Sequence, residues 1–158
     1  MAENDYTCLI TMSYTKVQVQ VQECDPSLLD DVTIPMNATQ TGRLLGMESD
    51  TAHTIIQELT GIKVHPVVRF YTTLWGRVAP HKDSPSFNAV NAARTLIIYL
   101  SDCKGGDLFF ETGDSVRTGR GVVVVFDKSL THWTDPVVEG AKKCVVCDVY
   151  SSNTEIDQ

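Results

Sequence analysis

The stretch Gly121-Val-Val-Val-Val-Phe126 carries the strongest information about the fold. Every position after the glycine is apolar, so a strand formed here would have no face suited to water. Strands of this kind lie inside a sheet that is covered on both sides. We therefore predict a β protein in which residues 121–126 form a central strand of a sheet.

Additional strands are predicted on either side of this run. Residues 17–21, Val-Gln-Val-Gln-Val, alternate strictly, which predicts that the valines face a core and the glutamines face water. Residues 23–43 carry Asp, Pro and Asn, which favour loop or irregular structure. Turn signals rich in Gly, Asp, Ser and Pro separate the later strands. The predicted strands cover residues 6–13, 16–23, 62–73, 94–101, 107–111, 121–126 and 142–151.

A single helix is predicted between the first strands and the later ones. Ser49 or Asp50 can cap its start, and Gly61 stands where a left-handed residue ends a helix. Its apolar stripe consists of Ile55, Ile56 and Leu59. Many short strands with regular turns and one flanking helix are typical of an antiparallel sandwich or jelly roll.

Composition limits the classes of function. The chain has 158 residues, and we expect one domain over residues 1–158. Its net charge is −7, and an acidic surface repels nucleic-acid phosphates and anionic membranes, so neither is an expected partner. No secretory signal or apolar stretch of membrane-spanning length is recognisable, and the five cysteines are irregularly spaced. These features predict a soluble cytoplasmic protein with free thiols.

His81-Lys82-Asp83 is the first candidate for chemistry. Residues i and i+2 of an extended segment point to the same face and lie about 7 Å apart. An imidazole and a carboxylate can therefore meet at one cation while Lys82 points away. Alone, an H-x-D tripeptide is more often part of a surface loop, so a further ligand is needed.

His132, in Thr131-His132-Trp133, is the candidate for that further ligand. It lies just past the central strand and 49 positions beyond Asp83. Two histidines and one carboxylate form the facial triad of non-haem Fe(II) oxygenases, which leaves metal positions open for a chelating substrate and O₂. The alternative interpretation is an ordinary loop histidine.

The sequence after His132 links these residues to a known family. It continues Trp-Thr-Asp-Pro-Val-Val-Glu-Gly-Ala-Lys over residues 133–142, so a lysine follows the histidine by ten positions. The set H-x-D, a long gap, then H-x₃-P-V-x₂-G-x-K resembles the prolyl 4-hydroxylase-like branch of the Fe(II)- and 2-oxoglutarate-dependent dioxygenases. The resemblance covers about residues 62–151. It implies a mainly β double-stranded β-helix (jelly roll) with one or two flanking helices.

The same resemblance assigns roles to individual residues. It implies that Lys142 binds the distal carboxylate of 2-oxoglutarate. Tyr99, within the strand sequence at 95–102, resembles the family tyrosine that contacts the cosubstrate. Tyr71 resembles a tyrosine that lines the active site, and an ordinary strand aromatic is an equal alternative. The implied Fe(II) ligands are His81, Asp83 and His132.

The implied reaction is hydroxylation of an unactivated C–H bond with O₂ and 2-oxoglutarate, releasing succinate and CO₂. Ascorbate is the implied accessory reductant. The implied substrate is a prolyl residue of a peptide or protein, converted to 4-hydroxyproline. A free amino acid or small metabolite is an alternative, because the short N-terminal region offers little structure for gripping a peptide. Val78 also departs from the family pattern, which usually has an aromatic residue there.

Two further motifs have competing interpretations. Lys143 competes with Lys142, but neighbours on a strand face opposite sides, and the ten-residue offset favours Lys142. Cys144-Val-Val-Cys147 is a CxxC motif that could bind zinc. Positions i and i+3 on a strand also face opposite sides, which favours a structural role for this pair.

Two other functions stay open from the sequence. One is demethylation of nucleic acid or protein by the same iron chemistry, although the acidic charge disfavours a nucleic-acid substrate. The other is a non-catalytic cupin-like module that binds metal without turnover. Succinate formation that depends on Fe(II) and O₂ would distinguish an enzyme from such a module.

Overall fold

The computed structural model describes residues 18–32, 36–38, 43–47, 50–83 and 92–150. Within these ranges, one α-helix, α1, spans Asp50–Thr60, and a short 3-10 helix spans Pro26–Leu29. The strands in the same ranges are β1 (Val19–Glu23), β2 (Met36–Ala38), β3 (Arg43–Met47), β4 (Val64–Thr73), β5 (Ala92–Tyr99), β6 (Lys104–Gly105), β7 (Leu108–Phe110), β8 (Ser115–Val116), β9 (Val122–Asp127), β10 (His132–Thr134), β11 (Val137–Glu139) and β12 (Lys142–Tyr150).

Antiparallel sheets packed face to face form the molecule. The main sheet has seven strands in the order β1-β9-β5-β12-β4-β3-β2. A three-stranded sheet, β10-β7-β8, and a two-stranded sheet, β11-β6, complete the strand pairing of the described residues. Four of the six neighbouring pairs in the main sheet join strands that are not consecutive in sequence, as in a jelly roll. The predicted mainly β jelly roll is therefore confirmed.

The main sheet is buried on both faces at its centre, as the run at 121–126 predicts. On one face, Val123 and Val125 of β9 pack in a core with helix α1. On the other face, Val124 and Phe126 pack against the three-stranded sheet, including Phe110. Strand β9 lies between β1 and β5, so the prediction of a central strand is confirmed.

Helix α1 covers the outer face of the main sheet. Ala52 and Ile56 are fully buried, which matches an amphipathic helix with one apolar stripe. The helix ends at Thr60, and Gly61 follows with φ +72°, the left-handed conformation expected after a helix. The predicted helix is confirmed. Among the described residues, no helix has the length and apolar character needed to span a membrane.

The prediction for residues 23–43 was wrong in part. Instead of continuous irregular structure, this region contains the 3-10 helix and strand β2, and strand β3 begins at residue 43. Asp25 caps the 3-10 helix because its Oδ1 accepts a hydrogen bond from the Ser27 amide at 3.1 Å. Strands β2 and β3 extend the main sheet beyond β4, so tertiary pairing stabilises them despite weak local signals. The strand predicted at residues 6–13 lies outside the described residues.

Candidate active site

A direct strand pairing joins the two histidines that the sequence separates. His81 and His132 exchange backbone hydrogen bonds, with N···O distances of 3.0 Å from the His81 amide and 2.9 Å from the His132 amide. In such an antiparallel pair the two residues lie directly opposite each other with side chains on the same face. The pairing continues at Thr134, whose amide donates to Val78 O at 3.1 Å. The segment 78–81 therefore aligns with β10.

Asp83 completes a cluster of three acceptor groups. Its Oδ1 lies 3.4 Å from His81 Nε2 and 3.3 Å from His132 Nε2. One ligand atom from each of the three residues lies within 4.8 Å of the other two. His81 and Asp83 reach the same point because they are two positions apart on an extended segment, as the H-x-D spacing predicts.

The other ring nitrogen of each histidine is fixed by a backbone carbonyl. His81 Nδ1 lies 2.8 Å from Ala79 O, and His132 Nδ1 lies 3.0 Å from Leu130 O. A carbonyl only accepts hydrogen bonds, so each Nδ1 carries a proton and donates it. In the neutral rings, the Nε2 lone pairs therefore face the Asp83 carboxylate. This carbonyl support of a histidine is typical of metal ligands.

Three acceptors converging on one point require a cation between them. A proton shared between Asp83 and His132 can act as this cation, and it shifts the pKa values of both residues. Burial raises the pKa of Asp83, but hydrogen bonds from His132 and Thr95 outweigh it and bring the pKa down to about 2. Burial lowers the pKa of His132, but the hydrogen bond to Asp83 and the Leu130 carbonyl outweigh it, so the pKa is raised. Two imidazoles and a carboxylate are equally a donor set for a divalent metal such as Fe(II).

A buried polar network supports the second oxygen of Asp83. Thr95 Oγ1 donates to Asp83 Oδ2 at 2.8 Å and accepts from Lys128 Nζ at 3.0 Å. Lys128 Nζ also donates to Asp148 Oδ1 at 2.6 Å, and Arg69 lies on the other side of Asp148, with Nη1 at 3.4 Å from Oδ2. Burial raises the pKa of Asp148, but the two cations outweigh it and lower the pKa. The proposed metal ligand is thus connected to a buried ion cluster.

These groups line a cavity of about 510 Å³ between the main sheet and the smaller sheets. Such a volume is within the usual range for small-molecule sites. All six residues that the sequence analysis predicts as metal or cosubstrate ligands line this cavity, whereas Lys143 does not. The six are Tyr71, His81, Asp83, Tyr99, His132 and Lys142.

Lys142 is a buried cation at the end of the cavity where β12 begins. It is 6% exposed, and its Nζ donates to Gly106 O at 3.2 Å. A Cβ at Gly106 would lie 3.0 Å from Lys142 Cδ, and Gly106 has φ +72°, so a glycine suits both the backbone and the lysine here. Lys143 is exposed on the opposite face of the strand, as strand alternation predicts.

Two tyrosines lie beside this end of the cavity. Cys144, two positions after Lys142, pairs with Tyr71 on β4 and with Tyr99 on β5. Tyr99 is 2% exposed, and burial raises its pKa well above its usual value, so its phenol stays neutral and can act as a hydrogen-bond donor. Cys144 belongs to the cavity-side core and Cys147 to the helix-side core. The prediction that these two thiols face opposite sides is confirmed.

Thr95, Lys128, Asp148 and Arg69 were not identified as functional residues from the sequence. A signal was available for two of them, because Arg69 and Asp148 are charged residues directly after the apolar pairs and runs Val67-Val68 and Cys144–Cys147 of strands β4 and β12. A charge at such a position needs a partner. The strand register that brings the partners together was not readable from the sequence.

Comparison of the whole structure with solved structures identifies the fold. An oxidoreductase of the 2OG-Fe(II) oxygenase family from Burkholderia pseudomallei matches with a TM-score of 0.71 at 11% identity, covering 95% of this chain and 92% of the other. HygX from Streptomyces hygroscopicus, with nickel and 2-oxoglutarate bound, matches with a TM-score of 0.60 at 9% identity, covering 96% and 88%. A prolyl-4-hydroxylase from Pseudomonas putida matches with a TM-score of 0.58 at 12% identity, covering 85% and 93%.

No protein-family model and no curated protein matches the sequence. The structural likeness nevertheless extends over most of each chain. The molecule therefore has the jelly-roll fold of the 2-oxoglutarate- and Fe(II)-dependent oxygenases, which the sequence motifs predict.

Proposed function

We propose that this protein is an Fe(II)- and 2-oxoglutarate-dependent dioxygenase that hydroxylates an unactivated C–H bond. One observation carries the proposal: the acceptor atoms of His81, Asp83 and His132 converge in the cavity that also contains buried Lys142. A metal site and a buried cation in one cavity suit a chelating cosubstrate with a second, distal anionic group.

His81, Asp83 and His132 would hold the metal. Thr95 keeps one oxygen of Asp83 occupied, which leaves the other directed at the two histidines. Bound Fe(II) would supply the redox chemistry that couples oxidative decarboxylation of 2-oxoglutarate to insertion of one oxygen atom of O₂ into a C–H bond. The other oxygen atom enters succinate, and one CO₂ is released for each substrate hydroxylated.

Lys142, Tyr99 and Tyr71 would form the subsite for the distal carboxylate of 2-oxoglutarate. A carboxylate in a buried cavity is costly without a counter-charge, and Lys142 supplies one. Tyr99 remains un-ionised and so adds a hydrogen bond without adding a competing negative charge. Tyr71 borders the same region from β4.

The proposed reacting group is a prolyl ring, because the motif set resembles the prolyl 4-hydroxylase-like branch. The prolyl-4-hydroxylase from Pseudomonas putida, which has the same fold, supports this choice. The ring would belong either to a peptide or to a free amino acid. Two further cations that line the cavity, Arg69 and Lys128, favour the free acid.

The test is an assay with Fe(II), 2-oxoglutarate, ascorbate and ¹⁸O₂, with products analysed by mass spectrometry. We expect succinate that contains one ¹⁸O atom, formed only when Fe(II), O₂ and 2-oxoglutarate are all present. Hydroxylated substrate should contain the other ¹⁸O atom. Metal binding with no succinate above a protein-free control would contradict the proposal and favour a non-catalytic module. Formaldehyde in place of a stable hydroxylated product would favour demethylation.

A further inference from the structure

A second cationic group lines the cavity, and the proposed metal and cosubstrate do not use it. Arg69 and Lys128 face the cavity and both contact Asp148. Lys128 is 6% exposed and Asp148 is 1% exposed, so this cluster is part of the protein interior. Arg69 is partly exposed, but burying the charges of Lys128 and Asp148 is costly, and charged groups at such a position are retained mainly where they have a partner or a ligand.

The charges around the cavity leave one cation in excess. A divalent metal would balance Asp83 and the chelating carboxylate of 2-oxoglutarate, and Lys142 would balance the distal carboxylate. Arg69 and Lys128 are the other two cations that line the cavity in the described part of the chain, and Asp148 behind them balances only one of the two. Counting only the described residues, one positive charge stays without a counter-charge after metal and cosubstrate are bound, and an anionic group on the primary substrate would supply it.

Both cations retain capacity to donate hydrogen bonds. The Arg69 nitrogens lie 3.4 Å and 3.5 Å from the Asp148 oxygens, which is long for a charge-assisted hydrogen bond. A guanidinium has five N–H groups, so Arg69 can turn part of its donor set toward a ligand. An ammonium has three, and the described contacts of Lys128, with Thr95 and Asp148, use two.

The cluster is separate from the proposed cosubstrate subsite. Asp148 and Lys142 are six positions apart on the same face of β12, a distance of roughly 20 Å along a strand. Thr95 lies opposite Asp148 on β5 and bonds both Lys128 and Asp83. The cluster is therefore next to the metal ligand Asp83, and Lys142 is at the far end.

We propose that Arg69 and Lys128 bind a carboxylate of the primary substrate, which makes that substrate a small free carboxylic acid such as an amino acid. An internal prolyl residue of a peptide has no such group. This inference rests on the proposed dioxygenase function. Because one hydroxyl group links Lys128 to Asp83, the hydroxylated carbon should lie within a few bonds of the bound carboxylate.

The first test compares acids with their amides in the wild-type protein. The panel contains the free L-amino acids, simple mono- and dicarboxylic acids, the matching amides including L-prolinamide, and a peptide with an internal proline. Mass spectrometry detects the gain of one oxygen. We expect oxygenation of at least one free acid, with kcat/KM about 10- to 100-fold higher than for its amide, the loss expected for a charge-assisted hydrogen bond.

The second test uses Arg69 variants, because removing Lys128 would leave buried Asp148 poorly paired and endanger folding. Arg69→Gln should reduce kcat/KM for the acid toward that of the amide, and Arg69→Lys should restore part of the preference. Arg120→Gln is the matched control, since Arg120 pairs with Asp30 outside this cavity. It should keep the wild-type preference.

The outcomes separate this inference from the proposed function. Absence of succinate under every condition is a failure of the dioxygenase proposal itself. The carboxylate proposal is overturned if succinate forms while amide and acid react equally, or while only the internal prolyl peptide is oxygenated. Succinate formation that no free acid stimulates also overturns it, and so does an Arg69→Gln variant whose only change is a raised KM for 2-oxoglutarate.

Discussion

At the scale of single residues, each proposed metal ligand is fixed by a group whose identity the motif does not specify. The two imidazoles are held by the carbonyls of Ala79 and Leu130, which any residue could provide. The carboxylate of Asp83 is held by the side chain of Thr95, which a substitution can remove. Mutations can therefore test the ligands and the support of Asp83 separately.

Removing a ligand should abolish both metal binding and turnover. His81→Ala and Asp83→Ala each delete one of three converging acceptors, so the site can no longer hold a divalent metal in a facial arrangement. The affinity for Mn(II), measured by calorimetry, should fall by more than the about 10- to 100-fold typical of losing a supporting hydrogen bond. Lys82→Ala is the control, because Lys82 is exposed between the two ligands. Full succinate formation by either ligand variant would refute the metal assignment.

Replacing Thr95 tests the support of Asp83 without removing a ligand. Thr95→Val keeps the shape of the side chain but cannot donate to Asp83 Oδ2 or accept from Lys128. We expect Mn(II) affinity to fall about 10-fold or more, as for other losses of supporting hydrogen bonds. Thr60→Val, which removes a helix hydroxyl that donates to Ile56 O, controls for general destabilisation. Equal Mn(II) affinity in Thr95→Val and the wild type would show that the hydroxyl does not position Asp83.

At the scale of secondary structure, strand alternation determines which lysine serves the cavity. Lys142 and Lys143 are chemically identical neighbours, but β12 directs Lys142 into the interior and Lys143 to the surface. Lys142→Ala should therefore raise the KM for 2-oxoglutarate strongly, by about 10-fold or more for a lost charge-assisted interaction. Lys143→Ala should leave it near the wild-type value. Equal effects in steady-state kinetics would contradict the assignment of Lys142 to the cosubstrate.

The long strands and the helix were predictable from the sequence because the order of apolar and polar residues in them indicates which positions are buried. Strand β9 is apolar at successive positions, and α1 has both an apolar stripe and Gly61 after its end. The three-residue strands β10 and β11 are too short to show a period, and pairing with β7 and β6 defines them. Strands β2 and β3 likewise depend on their place at the edge of the main sheet. Local propensity could not reveal such pairing.

Sequence motifs predicted only those residues of the candidate site that occur at characteristic spacings. His81, Asp83, His132 and Lys142 occur at recognisable spacings, and all four face the cavity. The network of Thr95, Lys128, Asp148 and Arg69 has no fixed spacing, because its members come from four strands or their ends. Only the register of β4, β5 and β12 shows that they meet. The network that we propose for substrate recognition was therefore the part of the candidate site least accessible from sequence.

At the scale of the whole molecule, the site should make the stability of the metal-free protein depend on pH in two directions. The pKa of Asp83 is lowered to about 2, and that of Asp148 is also lowered. Their contribution to stability is present above the unfolded pKa of about 3.9 and is lost as pH falls. The pKa of His132 is raised, so its contribution is present below about 6.5 and is lost as pH rises through the folded value.

Urea unfolding in EDTA at pH 3, 5.5 and 8.5 tests this dependence, with Asp83→Asn as the comparison. A carboxylate whose pKa falls from 3.8 to about 2 contributes on the order of 2 kcal/mol when ionised. The free energy of unfolding of the wild type should therefore exceed that of Asp83→Asn most clearly at pH 5.5, where Asp83 is ionised and His132 is protonated. The difference in unfolding free energy should be smaller at pH 3, because Asp83 of the unfolded chain is then largely protonated, and it should also fall as pH rises through the raised pKa of His132.

The same proton on His132 competes with the metal, which gives the prediction a second measurement. A divalent metal must displace that proton, so Mn(II) affinity should rise by up to about tenfold per pH unit below the raised pKa of His132 and level off above it. His53→Gln is the control, because His53 lies on α1 and bonds to Val64 O. A pH-independent Mn(II) affinity, together with equal stability of wild type and Asp83→Asn at pH 5.5, would show that Asp83 and His132 are not coupled.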